Sequence, residues 1–143
     1  MRPTPVTPTT PAMRTPGAAP ATPTRPGARP DALDASGLPA YWARRYACLR
    51  DPVGAAAARD HVRHTVALLP LPYRLGYAAV LRAVPALFRC ASGHDLRRAP
   101  TAADRTGMAR LGRLPGVAEV IRASTGLALY GALDGRTERA VTR

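Results

Sequence analysis

The chain has 143 residues and a formal net charge of +12: its 21 basic residues are all arginine, and nine carboxylates oppose them. Lysine is absent, so P-loop, Schiff-base and kinase-type lysine chemistry are excluded. Asparagine and glutamine are absent as well, and an Ala, Arg, Pro and Gly excess is what a GC-rich coding sequence produces. The choice of arginine over lysine therefore carries little weight, but the charge imbalance points to an anionic partner: nucleic acid, an anionic membrane surface or an acidic protein.

Residues 1–30 hold nine prolines, seven threonines, four arginines and no carboxylate, which breaks the backbone too often for an amphipathic period. We read residues 1–37 as a disordered Pro/Thr/Arg tail, 38–135 as one helical domain, and 136–143 as a basic, frayed C-terminus. The opening Met1-Arg2-Pro3-Thr4-Pro5 never reaches the apolar run of a signal peptide. Arg44-Arg45 is followed too closely by Arg50, Asp51 and Pro52 to be a twin-arginine signal. With no export signal visible, the expected location is the cytoplasm or a partner's surface.

Order is expected from Leu38, with Pro39 opening a first helix that carries Trp42, Tyr46 and Leu49 at helical spacing. Asp51-Pro52 is an N-cap acceptor followed by a first-turn proline, and starts a second helix to about Leu69, with Val62, Val66 and Leu69 on one side. Pro70 and Pro72 set up a third, in which Tyr73, Tyr77, Val80, Leu81, Val84, Leu87 and Phe88 share a face flanked by Arg74, Arg82 and Arg89. Pro85 should kink it.

Ser92-Gly93-His94-Asp95 reads as a turn, and Thr101 with Asp104 as an acidic capping box opening a short helix to about Arg113. After Leu114-Pro115-Gly116 a last helix spans Val117 to Leu133, with Gly126, Ala128 and Gly131 small enough for a close helix contact. Gly135 ends the pattern, and Arg136, Arg139 and Arg143 form a basic end. No segment reads as a strand and none has the apolar length to span a membrane, so the expected fold is all-α, a small bundle of four to five helices.

Chemistry-bearing groups are sparse. His61 and His64 lie one helical turn apart, a spacing that can put two imidazoles on one metal with Cys48, Asp60 or Cys90 as remote further ligands. A solvated, arginine-flanked helix face is the preferred reading of the pair. His94-Asp95 can form part of an acid/base pair, but no nucleophile is tied to it by spacing. Cys48 and Cys90 form no CxxC pair and read as two buried thiols. The arginine clusters Arg44-Arg45, Arg59-Arg63 and Arg97-Arg98 suit phosphate contacts, although few aromatics are present for base stacking. The third helix, apolar with flanking arginines, can also lie on an anionic membrane. No catalytic residue, metal ligand or cofactor-binding residue is assigned, and no cofactor of the chain's own is expected.

One stretch carries a resemblance. Leu71-Pro72-Tyr73-Arg74-Leu75-Gly76, an apolar helix, the Gly93 turn, Thr101-Ala102-Ala103-Asp104-Arg105, Leu111, Leu114-Pro115-Gly116 and Leu127-Ala128-Leu129-Tyr130 follow one another in that order. The order resembles the small helical subunit, or helical N-terminal extension, that accompanies glucose-methanol-choline type flavin alcohol dehydrogenases and oxidases, including the small subunits of gluconate-type dehydrogenases. The likeness covers residues 71–134 and rests on helix starts and apolar spacing. It departs from the family at Asp95-Leu96, where an aromatic often follows the turn, and at Tyr130-Gly131, where a second tyrosine often stands. The resemblance implies a non-catalytic accessory protein docked on a flavin-bearing oxidoreductase subunit, with Tyr73, Arg74, Tyr77, Arg105 and Tyr130 as partner contacts. The alternatives are a basic nucleic-acid-associated helical protein and a membrane-surface or structural interaction protein.

Overall fold

Local sequence signals account for most helix starts in the computed structural model, which describes residues 31–141, without the side chains of 136 and 138–141. Six α-helices occur in chain order: α1 (Ala32–Ser36), α2 (Leu38–Arg45), α3 (Pro52–Ala67), α4 (Leu71–Ser92), α5 (Thr101–Leu111) and α6 (Val117–Val141), with a 3-10 turn at Ala47–Leu49. The described residues contain no strand, so the fold is all-α, with six helices where four or five were expected. The expectations for residues 1–30, for a basic face at Arg136 and Arg139, and for Arg143 lie outside what is described.

Order begins before Leu38. The Asp31 carboxylate accepts the Asp34 N–H at 2.8 Å and caps α1, and Gly37 closes it in the left-handed region at φ 76°. Leu33 and Ser36 are buried, and α1 packs along α4, so residues 31–37 belong to the domain and not to the tail. The expected first helix is also divided. α2 ends at Tyr46, whose extended backbone (φ −118°, ψ 121°) turns the chain before the 3-10 segment.

Asp51 caps α3 as its sequence implies, accepting the Gly54 N–H at 3.0 Å. α4 runs unbroken through Pro85, and buries Leu81, Val84 and Phe88 from the predicted face. Tyr77, Val80 and Leu87 are half-buried, and Tyr73, at the N-terminal end, is exposed. At α5 the expected capping box does not form: Pro100 occupies the N-cap without a side-chain bond, Thr101 is already helical, and Asp104 is engaged elsewhere. α6 continues past Gly135 to Val141.

Two close approaches of backbone to a neighbouring side chain fix how the helices pack. α3 and α6 run antiparallel, with Gly131 against His61 and Gly135 against Ala57, and a Cβ added at Gly131 would lie 2.5 Å from the His61 Cβ. Ala128 and Ala132 are fully buried on the same side of α6. Gly126, expected to join this contact, has open space beside it instead. Between α4 and α5, Gly107 faces the Phe88 ring. The core is built around Trp42, Phe88, Leu38, Leu96, Leu111, Val62 and Val84. The Trp42 indole N–H reaches the Thr125 hydroxyl at 3.0 Å, so its one polar atom is satisfied inside the bundle.

Gly107→Ala tests this packing. The new Cβ would meet the Phe88 ring at 2.3 Å, and Phe88 is fully buried with no room to retreat. Overpacking of roughly 1–3 kcal/mol should outweigh the helix-propensity gain of about 1 kcal/mol and lower the urea midpoint, whereas Gly126→Ala should hold or raise it.

Candidate functional site

Two surfaces stand out, one polar and cationic, the other apolar. The first is a cleft of about 400 Å³ between the end of α2, the 3-10 turn and the start of α5. Tyr41, Arg44 and Arg45 come from α2, Arg50 from the turn, and Thr101, Asp104 and Arg105 from α5. Arg44 is committed to the fold. Its Nε and one terminal nitrogen hold both Asp104 oxygens at 3.0 Å, while its terminal nitrogens also donate to the carbonyls of Leu96 and Arg97.

Asp104, buried and neutralised in this way, leaves Arg45, Arg50 and Arg105 in the cleft with no carboxylate partner among the described residues. Arg50 makes only a long contact of 3.4 Å to the Arg44 carbonyl. Burial pushes the Tyr41 phenol above its ordinary value, with Tyr46 and Asp104 adding to the rise and Arg45 and Arg44 opposing it. The phenol therefore remains a neutral hydrogen-bond donor at the cleft wall.

The second surface is the corner between α3 and α4. Leu68, Leu69, Leu71, Tyr73 and Leu75 are all exposed, with Leu68 at 73% and Tyr73 at 69%. Beside it an apolar groove of about 180 Å³ runs between α1, α3 and α4, with Leu33, Val62, Val66, Tyr77 and Leu81 on its walls and Arg63 and Arg74 among its lining residues. The Tyr77 hydroxyl is 2.5 Å from Ser124 Oγ, which itself donates to the Val120 carbonyl at 2.7 Å. Burial raises the Tyr77 pKa, and the Ser124 bond only partly offsets this. No carboxylate occurs in the sequence between Asp60 and Asp95, so α4 and the corner carry no acidic side chain of their own.

The candidate partner contacts divide between places. Tyr73 lies on the apolar corner, Arg74 and Tyr77 line the groove, Arg105 lines the cationic cleft, and Tyr130 is exposed on α6, its ring 5.5 Å from that of His61. His61 is thus packed between Tyr130 and Gly131, and no group of three or more His, Cys, Asp or Glu side chains comes together to hold a metal among the described residues. Nor do His94 and Asp95 form a pair. His94 Nδ1 sits 2.8 Å from the Ser92 carbonyl, while Asp95 accepts the Arg97 N–H and faces Arg89. Cys48 and Cys90 are free thiols, not buried as expected but half-buried and exposed respectively.

Two of the arginine clusters are partly engaged within the fold, although Arg63, Arg97 and Arg98 stay exposed. Arg63 binds Asp31, Asp34 and Asp60, and Arg59 approaches Asp34 at 3.9 Å, so these residues fasten α1 to α3. Arg97 donates to the Asp34 carbonyl at 2.9 Å. Sequence reasoning identified Arg44-Arg45 and Arg105 but did not bring them together with Arg50 and Tyr41, because the cleft joins segments separated by half the domain.

No helix among the described residues is long and apolar enough to cross a membrane. Compared with known proteins, the chain matches no family model, no curated protein and no solved structure.

Arg44→Ala should lower stability by about 2 kcal/mol, less than a fully buried pair would lose because the guanidinium is one-third exposed. Arg44→Lys should recover only part of this in urea unfolding, since an ammonium cannot span a carboxylate and two carbonyls. In an alkaline titration followed by phenolate absorbance, Tyr77 and Tyr41 should both ionise above the ordinary tyrosine value of 10.0, and Tyr77→Phe should remove one tyrosine from that late component while Tyr41 remains in it. A phenol whose folded pKa is raised contributes stability in full below its unfolded value and loses it as pH climbs through the folded value, so wild type should destabilise in that window more than Tyr77→Phe.

Proposed function

We propose that the chain is a non-catalytic helical accessory protein that docks on a larger partner protein through the apolar corner between α3 and α4. The observation that carries this reading is the exposure of Leu68, Leu69, Leu71, Tyr73 and Leu75 in one consecutive stretch. Single exposed leucines are ordinary, but five large apolar side chains exposed within eight residues of one helix junction, beside a groove, are what an interaction surface supplies. Arg74 and Arg82, exposed on α4 and without ion pairs among the described residues, give the patch a cationic setting. The matching partner presents an apolar patch bordered by carboxylates.

A flavin-dependent oxidoreductase subunit is the partner that the resemblance of residues 71–134 implies. The division of labour follows from that reading: the larger subunit supplies cofactor and chemistry, and this chain brings no cofactor of its own. Tyr73 and Arg74 in the first turn of α4, and Tyr77 one turn further on, are the contacts that the corner and groove support. Arg105 and Tyr130 lie outside the corner and groove.

A second reading, a basic nucleic-acid-associated helical protein, is favoured by Arg98, Arg113 and Arg122, all exposed and without ion pairs among the described residues. Such binding would fall steeply with salt.

The test is a mild-salt pull-down with the intact chain and with a Leu71→Asp/Leu75→Asp variant, both exposed positions. A stoichiometric protein partner with the visible absorbance of oxidised flavin, lost by roughly tenfold or more in the variant at unchanged melting temperature, is the expected outcome. An eluate of nucleic acid cleared by salt supports the second reading. Binding to anionic vesicles that the variant abolishes assigns the corner to a lipid surface.

A further inference from the structure

The cationic cleft has a charge arrangement that the fold itself does not require. Of the side chains lining it, Arg44 and Asp104 satisfy one another and hold α2 to α5. What remains is three guanidiniums, Arg45, Arg50 and Arg105, all exposed and lining one cavity of about 400 Å³. Like charges gathered in a concave site repel one another, and the low-dielectric wall behind them concentrates the positive potential outward. Arg63, by contrast, sits among Asp31, Asp34 and Asp60. In the cleft the one carboxylate has both oxygens occupied by Arg44.

We propose that Arg45, Arg50 and Arg105 form a binding site for a phosphate-bearing anion of diphosphate size. The ligand class follows from geometry and charge. A guanidinium presents paired N–H donors that match two phosphate oxygens, and an anion of two or more charges is needed to offset three cations. The cavity falls within the range of about 300–1,000 Å³ typical of small-molecule clefts, ample for a diphosphate group and part of the molecule bearing it. The Tyr41 phenol, protonated well into the alkaline range, and the Thr101 hydroxyl add neutral donors on the same lining. Thr101 is also the first residue of α5. This site stands whichever partner takes the apolar corner.

The phosphate groups can come from a free phosphorylated metabolite or from a nucleic-acid backbone, and the experiment separates the two. Inorganic pyrophosphate is titrated calorimetrically into the full chain, into Arg45→Ala/Arg105→Ala, and into Arg113→Ala/Arg122→Ala, which removes the same charge from exposed positions outside the cleft. Saturable one-to-one binding to wild type and to the control, weakened roughly tenfold or more in the cleft variant, is the expected result. The Arg50→Ala variant provides an independent reading, with a loss in the same direction.

Equal weakening in the cleft variant and the control, or no saturable binding to wild type, overturns the proposal and leaves only general charge attraction. A short single-stranded DNA oligonucleotide that pyrophosphate displaces, and that the cleft variant binds poorly, identifies backbone phosphates as the source. If the oligonucleotide binds all variants alike while pyrophosphate does not, the site takes a small phosphorylated molecule.

Discussion

The Arg44 guanidinium is the point on which the arrangement of half the domain depends. One planar group bonds both oxygens of Asp104 and the carbonyls of Leu96 and Arg97, and so joins α2 to the turn after α4 and to α5. A side chain with five donors in a fixed fork is suited to this, because the separation of its acceptors is set by the guanidinium and not by flexible stems. Helix α5 starts without a side-chain cap because its N-cap, Pro100, has no side-chain acceptor. Asp104, which would otherwise serve the first turn, is turned toward α2 instead. The position of the cationic cleft is a by-product of this tie, since it is Arg44 that brings Arg45 alongside Arg105.

Charge is partitioned unevenly over the domain. Asp31, Asp34 and Asp60 serve Arg63, Asp104 serves Arg44, and Asp95 faces Arg89. Burial lowers the pKa of the Arg63 guanidinium, and its three carboxylates outweigh that effect so that the net shift is upward. With so many of its few acids spent internally, the molecule presents cationic surface that its own side chains do not neutralise. An apolar corner without acids of its own and a cleft of unpaired arginines are two outcomes of the same shortage of carboxylates, and both are complementary to acidic surroundings.

The helical character of the chain was legible because its punctuation is explicit. Asp51-Pro52, Pro70 to Pro72 and the Gly93 turn mark boundaries by chemistry that tertiary contacts did not override. Helix α1 was hidden by length: five residues provide no amphipathic period, and it follows a Pro/Thr-rich run whose composition argues for a tail. Gly135 was read as a stop, but in the antiparallel contact with α3 its lack of a side chain lets α6 pass 3.0 Å from the Ala57 Cβ, counting from where a Cβ would stand. Thr101 and Asp104 had the spacing of a cap, and the pattern carried no sign that Arg44, sixty positions away, would take the carboxylate. The cleft shows the same limit, since cation clustering across α2 and α5 is a property of the folded surface.

The way α1 is attached has a mechanical consequence. It is held by an ion pair from its N-cap Asp31 to Arg63, then by Leu33 on the groove wall, then by a second ion pair from Asp34 to Arg63, and at its end by the Gly37 turn. Any load transmitted along the chain preceding Asp31 enters the domain first at the Asp31 pair. Peeling from that end reaches Leu33, which lines the groove with Val62 and Leu81, before the Asp34 pair, so the groove would lose that wall under tension while the Trp42 and Phe88 interior is still intact.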